Sequence, residues 1–130
     1  MEGATGDYNT NLLNKGIKAL ELLGTEIDFI FLHIKAVDDA GHDKSLKKKI
    51  EYLEKVDEMV AMIYEKQKED IVICLTGDHT TPWSYGDHTF QPVPVSMSKL
   101  SWIKNNKKSI VKAYNEIDCL KGELGRFCGK

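Results

Sequence analysis

Apolar residues recur along this chain in two rhythms. Between Asn9 and Gly24 they fall at Leu13, Ile17 and Leu20, flanked by Leu12 and Leu23. That three-and-four spacing predicts a helix, with Asn9 or Thr10 as N-cap and Gly24 as the stop. Leu46, Ile50, Leu53, Val56, Val60 and Ile63 repeat the pattern and predict a longer helix over 45–66. Between and after these lie unbroken apolar runs, Phe29 to Ile34 and Ile71 to Leu75, of strand length and rich in strand formers. Val93 to Met97 suggests a short third strand, with Pro94 marking an edge or a bulge. A polar connection and a short helix over 110–117 complete the reading.

Strand, helix and continuously apolar strand in succession make a βαβ unit. The expected class is therefore α/β, with a mostly parallel sheet covered by flanking helices, 28–35 and 71–76 being parallel neighbours or near-neighbours. At 130 residues the chain supports one domain, 1–130, able to bury about two-thirds of its extended surface. Three strands are few for a sheet, and no closing element follows Gly125. Both points lead us to expect a fragment.

Composition narrows the partners. With 42% apolar and 29% charged residues and a net charge of −2, the chain gives no electrostatic reason to expect nucleic acid or an anionic membrane as partner. No run approaches the ~20 residues of a membrane span. Met1 to Ala4 lacks the features of a signal peptide, and Cys74, Cys119 and Cys128 show no paired spacing. A cytoplasmic protein with free, packing cysteines is expected.

The candidate chemistry lies in aspartate–histidine pairs after the strands. Asp38 and His42 are four apart, Asp78 and His79 adjacent, and His88 follows Asp87. Strand ends converge on one edge of a parallel sheet, where carboxylate and imidazole together suit zinc or manganese. Each pair alone reads more readily as a solvated loop than as a metal site, Asp78 as a turn bonding its own backbone, and it is three such sites at strand exits together that point to metal. His33, inside an apolar run, reads as a core histidine, and Lys47 to Lys49 as solvated surface. Lys35 could meet a phosphate. Arg126, the one guanidinium among 18 basic residues, is expected to make a fixed bidentate contact, structural or near the active site. No nucleophile motif is present.

Five segments taken in order resemble the cofactor-independent phosphoglycerate mutases, archaeal-type branch, of the alkaline phosphatase superfamily. They are Gly3-Ala4-Thr5-Gly6-Asp7-Tyr8-Asn9-Thr10-Asn11, His33 to Asp43, Thr76-Gly77-Asp78-His79-Thr80-Thr81-Pro82, His88 to Pro94, and Gly122 to Gly129. The resemblance implies a partial alkaline-phosphatase-like core lacking its N-terminal half. It implies two divalent ions, usually manganese, with zinc, cobalt or magnesium as alternatives. Asp38, His42 and His88 match the ligands of one ion, Asp78 and His79 two ligands of the other. The Ser or Thr nucleophile and a further Asp ligand belong to the half not in this sequence, which is thus an expected partner. The implied activity interconverts 3- and 2-phosphoglycerate through a phosphoenzyme, in glycolysis and gluconeogenesis, while the isolated chain is expected to be inactive. Another metal-dependent phosphomutase or phosphohydrolase, or a non-catalytic metal-binding remnant, remains the alternative.

Overall fold

A computed structural model describes Gly3, residues 5–105 and residues 110–127. The readings made on Met1, Ala4 and Cys128 fall outside the described residues. The element order is α1 (Leu12–Leu23), α2 (Ala36–His42), α3 (Leu46–Lys66), β1 (Val72–Thr76), β2 (Val95–Lys99), α4 (Leu100–Asn105) and α5 (Glu116–Cys119). They fall into two units, Met1–Lys68 with Thr81–His88, and Glu69–Thr80 with Thr89–Lys130.

The first unit is helical. Asn11, not Asn9 or Thr10, caps α1, its side chain accepting from the Asn14 N–H. The buried stripe of α1 is Leu12, Gly16 and Ala19, one position off the expected Leu13, Ile17 and Leu20. Small residues on that stripe let α1 approach α3 closely, and the larger Leu13 and Ile17 stay partly outside. Ser45 caps α3, whose Tyr52 and Met59 join Leu12 and Ala36 in the core; Val56, Val60 and Ile63 pack against it. Leu46, Ile50 and Leu53 of the expected stripe remain exposed.

The expected loop at 38–43 is instead the helix α2. Its small residues Ala36, Ala40 and Gly41 form the buried face, a stripe too short and too poor in large side chains to show as helical periodicity. It ends in a left-handed cap: Lys44 has φ 54, with Lys44 N–H donating to Gly41 O and Ser45 N–H to Ala40 O.

The expected strand at 28–35 does not form. This stretch runs without regular structure, although Ile30, Leu32 and Ile34 turn inward while Phe29 and Phe31 stand 80% and 77% exposed. The period of two is a strand's, but a strand exists only through a ladder, and the described residues of this unit offer none. His33 consequently faces outward, stacked near Phe31, rather than lying in the core.

The second unit holds the only sheet among the described residues. β1 and β2 pair antiparallel, Val72 opposite Lys99 and Thr76 opposite Val95. The α/β class holds, but the expected parallel pairing of 28–35 with 71–76 is absent among the described residues because 28–35 forms no strand; β1 pairs instead with β2, reached through 77–94 without the long crossover a parallel partner would need. β1 alternates in exposure rather than being buried throughout. β2 begins after Pro94, whose ring nitrogen cannot donate to a ladder. The polar connection expected after Met97 begins as α4, entered through buried Leu100, and the helix expected over 110–117 is reduced to α5. Asn115 caps α5 by accepting from the Ile117 and Asp118 N–H groups. Cys74 and Cys119 are free thiols, Cys74 exposed. No helix among the described residues is long and apolar enough to cross a membrane.

Candidate metal centre

Helix α2 builds the site. Residues four apart share a helix face, so Asp38 and His42 project side by side, and both lie in the first unit. Residues 81–88 bring the third group. A tight turn, with Tyr85 and Gly86 N–H donating to Pro82 O, carries the chain round to His88, whose own N–H is held by Asp87 Oδ1 at 2.7 Å. Gly86 sits at φ +83 in the left-handed region, and a Cβ there would strike the Lys44 side chain.

The three side chains converge. His42 Nε2 lies 3.3 Å from Asp38 Oδ1 and 3.2 Å from His88 Nε2, and His88 Nε2 lies 3.7 Å from Asp38 Oδ1. Among the described residues this is the one group of at least three Asp, Glu, His or Cys side chains close enough to hold an ion. Ligands of a tetrahedral zinc ion stand about 3.3 Å apart, and neighbouring ligands in octahedral coordination about 3.0 Å; the edges of 3.2 and 3.3 Å match this spacing, and the 3.7 Å edge is somewhat longer than either. The side chains are 24%, 38% and 51% exposed for Asp38, His42 and His88, open enough for water or substrate to complete a coordination sphere.

The hydrogen bonding also fits an ion. His42 Nδ1 lies 3.1 Å from Gly86 O, and a carbonyl can only accept. Nδ1 therefore carries a proton, and in the neutral ring this leaves the Nε2 lone pair for the centre. Carboxylate oxygen and imidazole lone pairs crowded this closely repel one another unless a cation or a shared proton sits among them.

Around the triad, Thr81 Oγ1 donates to Asp38 Oδ1 at 2.7 Å. Lys35 pairs with Asp39 and stands 3.8 Å from Asp38 Oδ2. Its ammonium pKa is raised, chiefly by the Asp39 hydrogen bond and, less, by the Asp38 charge. Asp43 is held below the usual carboxylate range by the Tyr8 hydroxyl at 2.7 Å, and then by Lys48 at 3.3 Å. Lys49, read as solvated, is half-buried and donates to the Thr81 carbonyl.

The other expected site residues do not join this group. Asp78 and His79 follow β1 in the second unit. Asp78 Oδ1 accepts from the His79 N–H at 3.1 Å, the turn alternative read from the sequence, and His79 Nε2 lies 3.5 Å from Asp78 Oδ2. Arg126 is exposed, with no hydrogen bond or ion pair to another of the described residues. Thr81 and the Gly86 carbonyl escaped the sequence reading. Nothing in residue type marks Thr81 apart from Thr80, and only the glycine two residues before His88 signalled the turn.

Residues 1–129 match the Metalloenzyme superfamily, and the chain belongs to that family. Its similarity to named relatives is to 2,3-bisphosphoglycerate-independent phosphoglycerate mutases. The chain is 42% identical over 129 residues to the enzyme of that name from Thermococcus kodakarensis, covering 98% of this chain and 30% of that protein. Against the Pyrococcus horikoshii enzyme it is 42% identical over the same shares, and against mutase 1 of Methanocaldococcus jannaschii 39% identical, covering 95% of this chain and 29% of that one. A solved structure of a Pyrococcus horikoshii protein superposes with a TM-score of 0.83 at 41% identity, covering 96% of this chain and 37% of that one. The chain thus spans about 30% of the length of the curated relatives it matches. Membership of this superfamily and the Asp38–His42–His88 cluster agree in pointing to a divalent metal.

Proposed function

We propose that the chain is the C-terminal, metal-holding part of the catalytic domain of a 2,3-bisphosphoglycerate-independent phosphoglycerate mutase, acting in glycolysis and gluconeogenesis. The observation that carries this is the convergence of Asp38, His42 and His88 in a chain that matches mutases along nearly its whole length. Asp38, His42 and His88 hold one ion, manganese by preference, with His42 fixed in its ligating tautomer by Gly86 O. Asp78 and His79 contribute to a second ion whose remaining ligand lies outside this chain.

Two bound divalent ions would neutralise phosphate oxygens and favour the alkoxide of a nucleophilic hydroxyl, the help that phosphoryl transfer needs. The Ser or Thr supplying that hydroxyl, and taking the phosphoryl group as a phosphoenzyme, also lies outside this chain. Lys35, at the head of α2, and Arg126 are the chain's candidates for meeting phosphate or carboxylate of phosphoglycerate. In the longer protein the stretch 28–35 becomes a strand of a mostly parallel sheet. Its alternating exposure and the bare Phe29 and Phe31 support that reading.

The test is a chimera in which this chain replaces the matching 30% of the Thermococcus kodakarensis mutase. A folded, manganese-loaded chimera should interconvert 3- and 2-phosphoglycerate, and its His42→Ala form should not. A folded chimera that only hydrolyses phosphoglycerate would favour the phosphohydrolase alternative and contradict the mutase reading.

A further inference from the structure

We propose that Thr81 is a positioning residue that sets the carboxylate of Asp38 for metal ligation. This rests on the reading of Asp38, His42 and His88 as ligands, and goes beyond it to a residue that touches no ion. Thr81 is 4% exposed, and its hydroxyl donates to Asp38 Oδ1, the oxygen closest to both imidazoles. A carboxylate oxygen has two lone-pair directions. With one engaged by Thr81 Oγ1, rotation of the carboxylate is restrained while Oδ1 stays 3.3 Å from His42 Nε2 and 3.7 Å from His88 Nε2, with a second lone pair free to ligate. Lys35, 3.8 Å from the other carboxylate oxygen, Oδ2, adds a second restraint.

Thr81 is itself held from two directions. Its carbonyl accepts from Lys49 Nζ on α3, and the α2 backbone presses on it at Gly41, where an added Cβ would come within 2.4 Å of Thr81 O. The long helix thereby holds Thr81, and Thr81 holds Asp38. Such outer hydrogen bonds typically change metal affinity about 10–100-fold, without themselves ligating.

The experiment is calorimetric titration of the chain with Mn²⁺, paired with the visible absorption spectrum of the Co²⁺-loaded chain and thermal melts without metal. Thr81→Val keeps the side-chain shape and removes the hydroxyl; Thr81→Ser restores it. Thr81→Val should weaken Mn²⁺ binding by about 10–100-fold and alter the Co²⁺ bands, while Thr81→Ser stays within about threefold of the parent. Should Thr81→Val not fold, Thr81→Ala is read in its place. Valine or alanine forms that bind with parental affinity and spectrum, whatever their melting temperatures, would overturn the proposal. The ligand reading fails differently: the parent chain and its His88→Ala form would then bind Mn²⁺ alike.

Discussion

The Asp38 and Asp78 regions carry the same side-chain types, yet among the described residues only the first assembles a three-residue cluster. Asp38 and His42 stand on a helix backed by the Leu12, Ala36, Tyr52 and Met59 core, and the turn at 82–86 delivers His88 to them. Asp78 and His79 stand at the end of a strand in a two-stranded sheet, with the Asp78 side chain 74% exposed and bonded to the next backbone N–H. The difference is one of support. Ligand chemistry is set by residue type, but ligand geometry is set by what packs behind it and by the hydrogen bonds that fix each ring and carboxylate.

If support is what separates the two regions, damage to the first unit's core should reach its site. Met59→Ala, removing a fully buried side chain, is expected to cost about 2–5 kcal/mol in chemical denaturation. Metal affinity should fall with it; a variant that loses stability and binds as before would separate site from core. Gly41→Ala is a more local blow, forcing Thr81 away from α2 at a cost of about 1–3 kcal/mol. A melting temperature equal to the parent's would show that the contact relaxes freely. Asn11→Ala removes the cap of α1 and should cost about 1 kcal/mol, leaving metal affinity nearly unchanged.

The smallest effect belongs to the second unit. Asp70 accepts from the Ser101 N–H in the first turn of α4, and that hydrogen bond chiefly holds its pKa below the model-peptide value. A carboxylate with a depressed folded pKa stabilises above its unfolded pKa and loses that contribution as pH falls through the folded value. Asp70→Ala should therefore lower the melting temperature slightly at neutral pH and leave it unchanged in strong acid. An equal loss at both pH values would contradict the electrostatic origin.

Long apolar periodicity was legible: α3 lies within a residue of its expected 45–66 range, and β1 is shifted by one from Ile71–Leu75. The aspartate–histidine spacing was legible as chemistry, but α2 was not legible as a helix, because Ala36, Ala40 and Gly41 bury little and Asp38, Asp39 and Asp43 look like a loop. The stretch 28–35 shows the opposite failure. Its residues favour a strand, but pairing is a non-local property that the stretch cannot supply for itself. Thr81 was silent because its role comes from where α2 and α3 press on it, and a buried hydroxyl has no sequence signature.

On the proposed reading, Asp38, His42 and His88 form the ion-holding group of this chain while Asp78 and His79 alone do not. Mn²⁺ titration by calorimetry at neutral pH, on the parent and on His42→Ala, His88→Ala, Asp78→Ala and His79→Ala, tests it directly. One ion should bind the parent, the first two variants should lose it by at least about a hundredfold, and the last two should keep it. Parent binding should also fade in acid, since protonated imidazole cannot ligate. Undiminished binding in both His42→Ala and His88→Ala, or loss of the ion in Asp78→Ala and His79→Ala instead, would contradict the account.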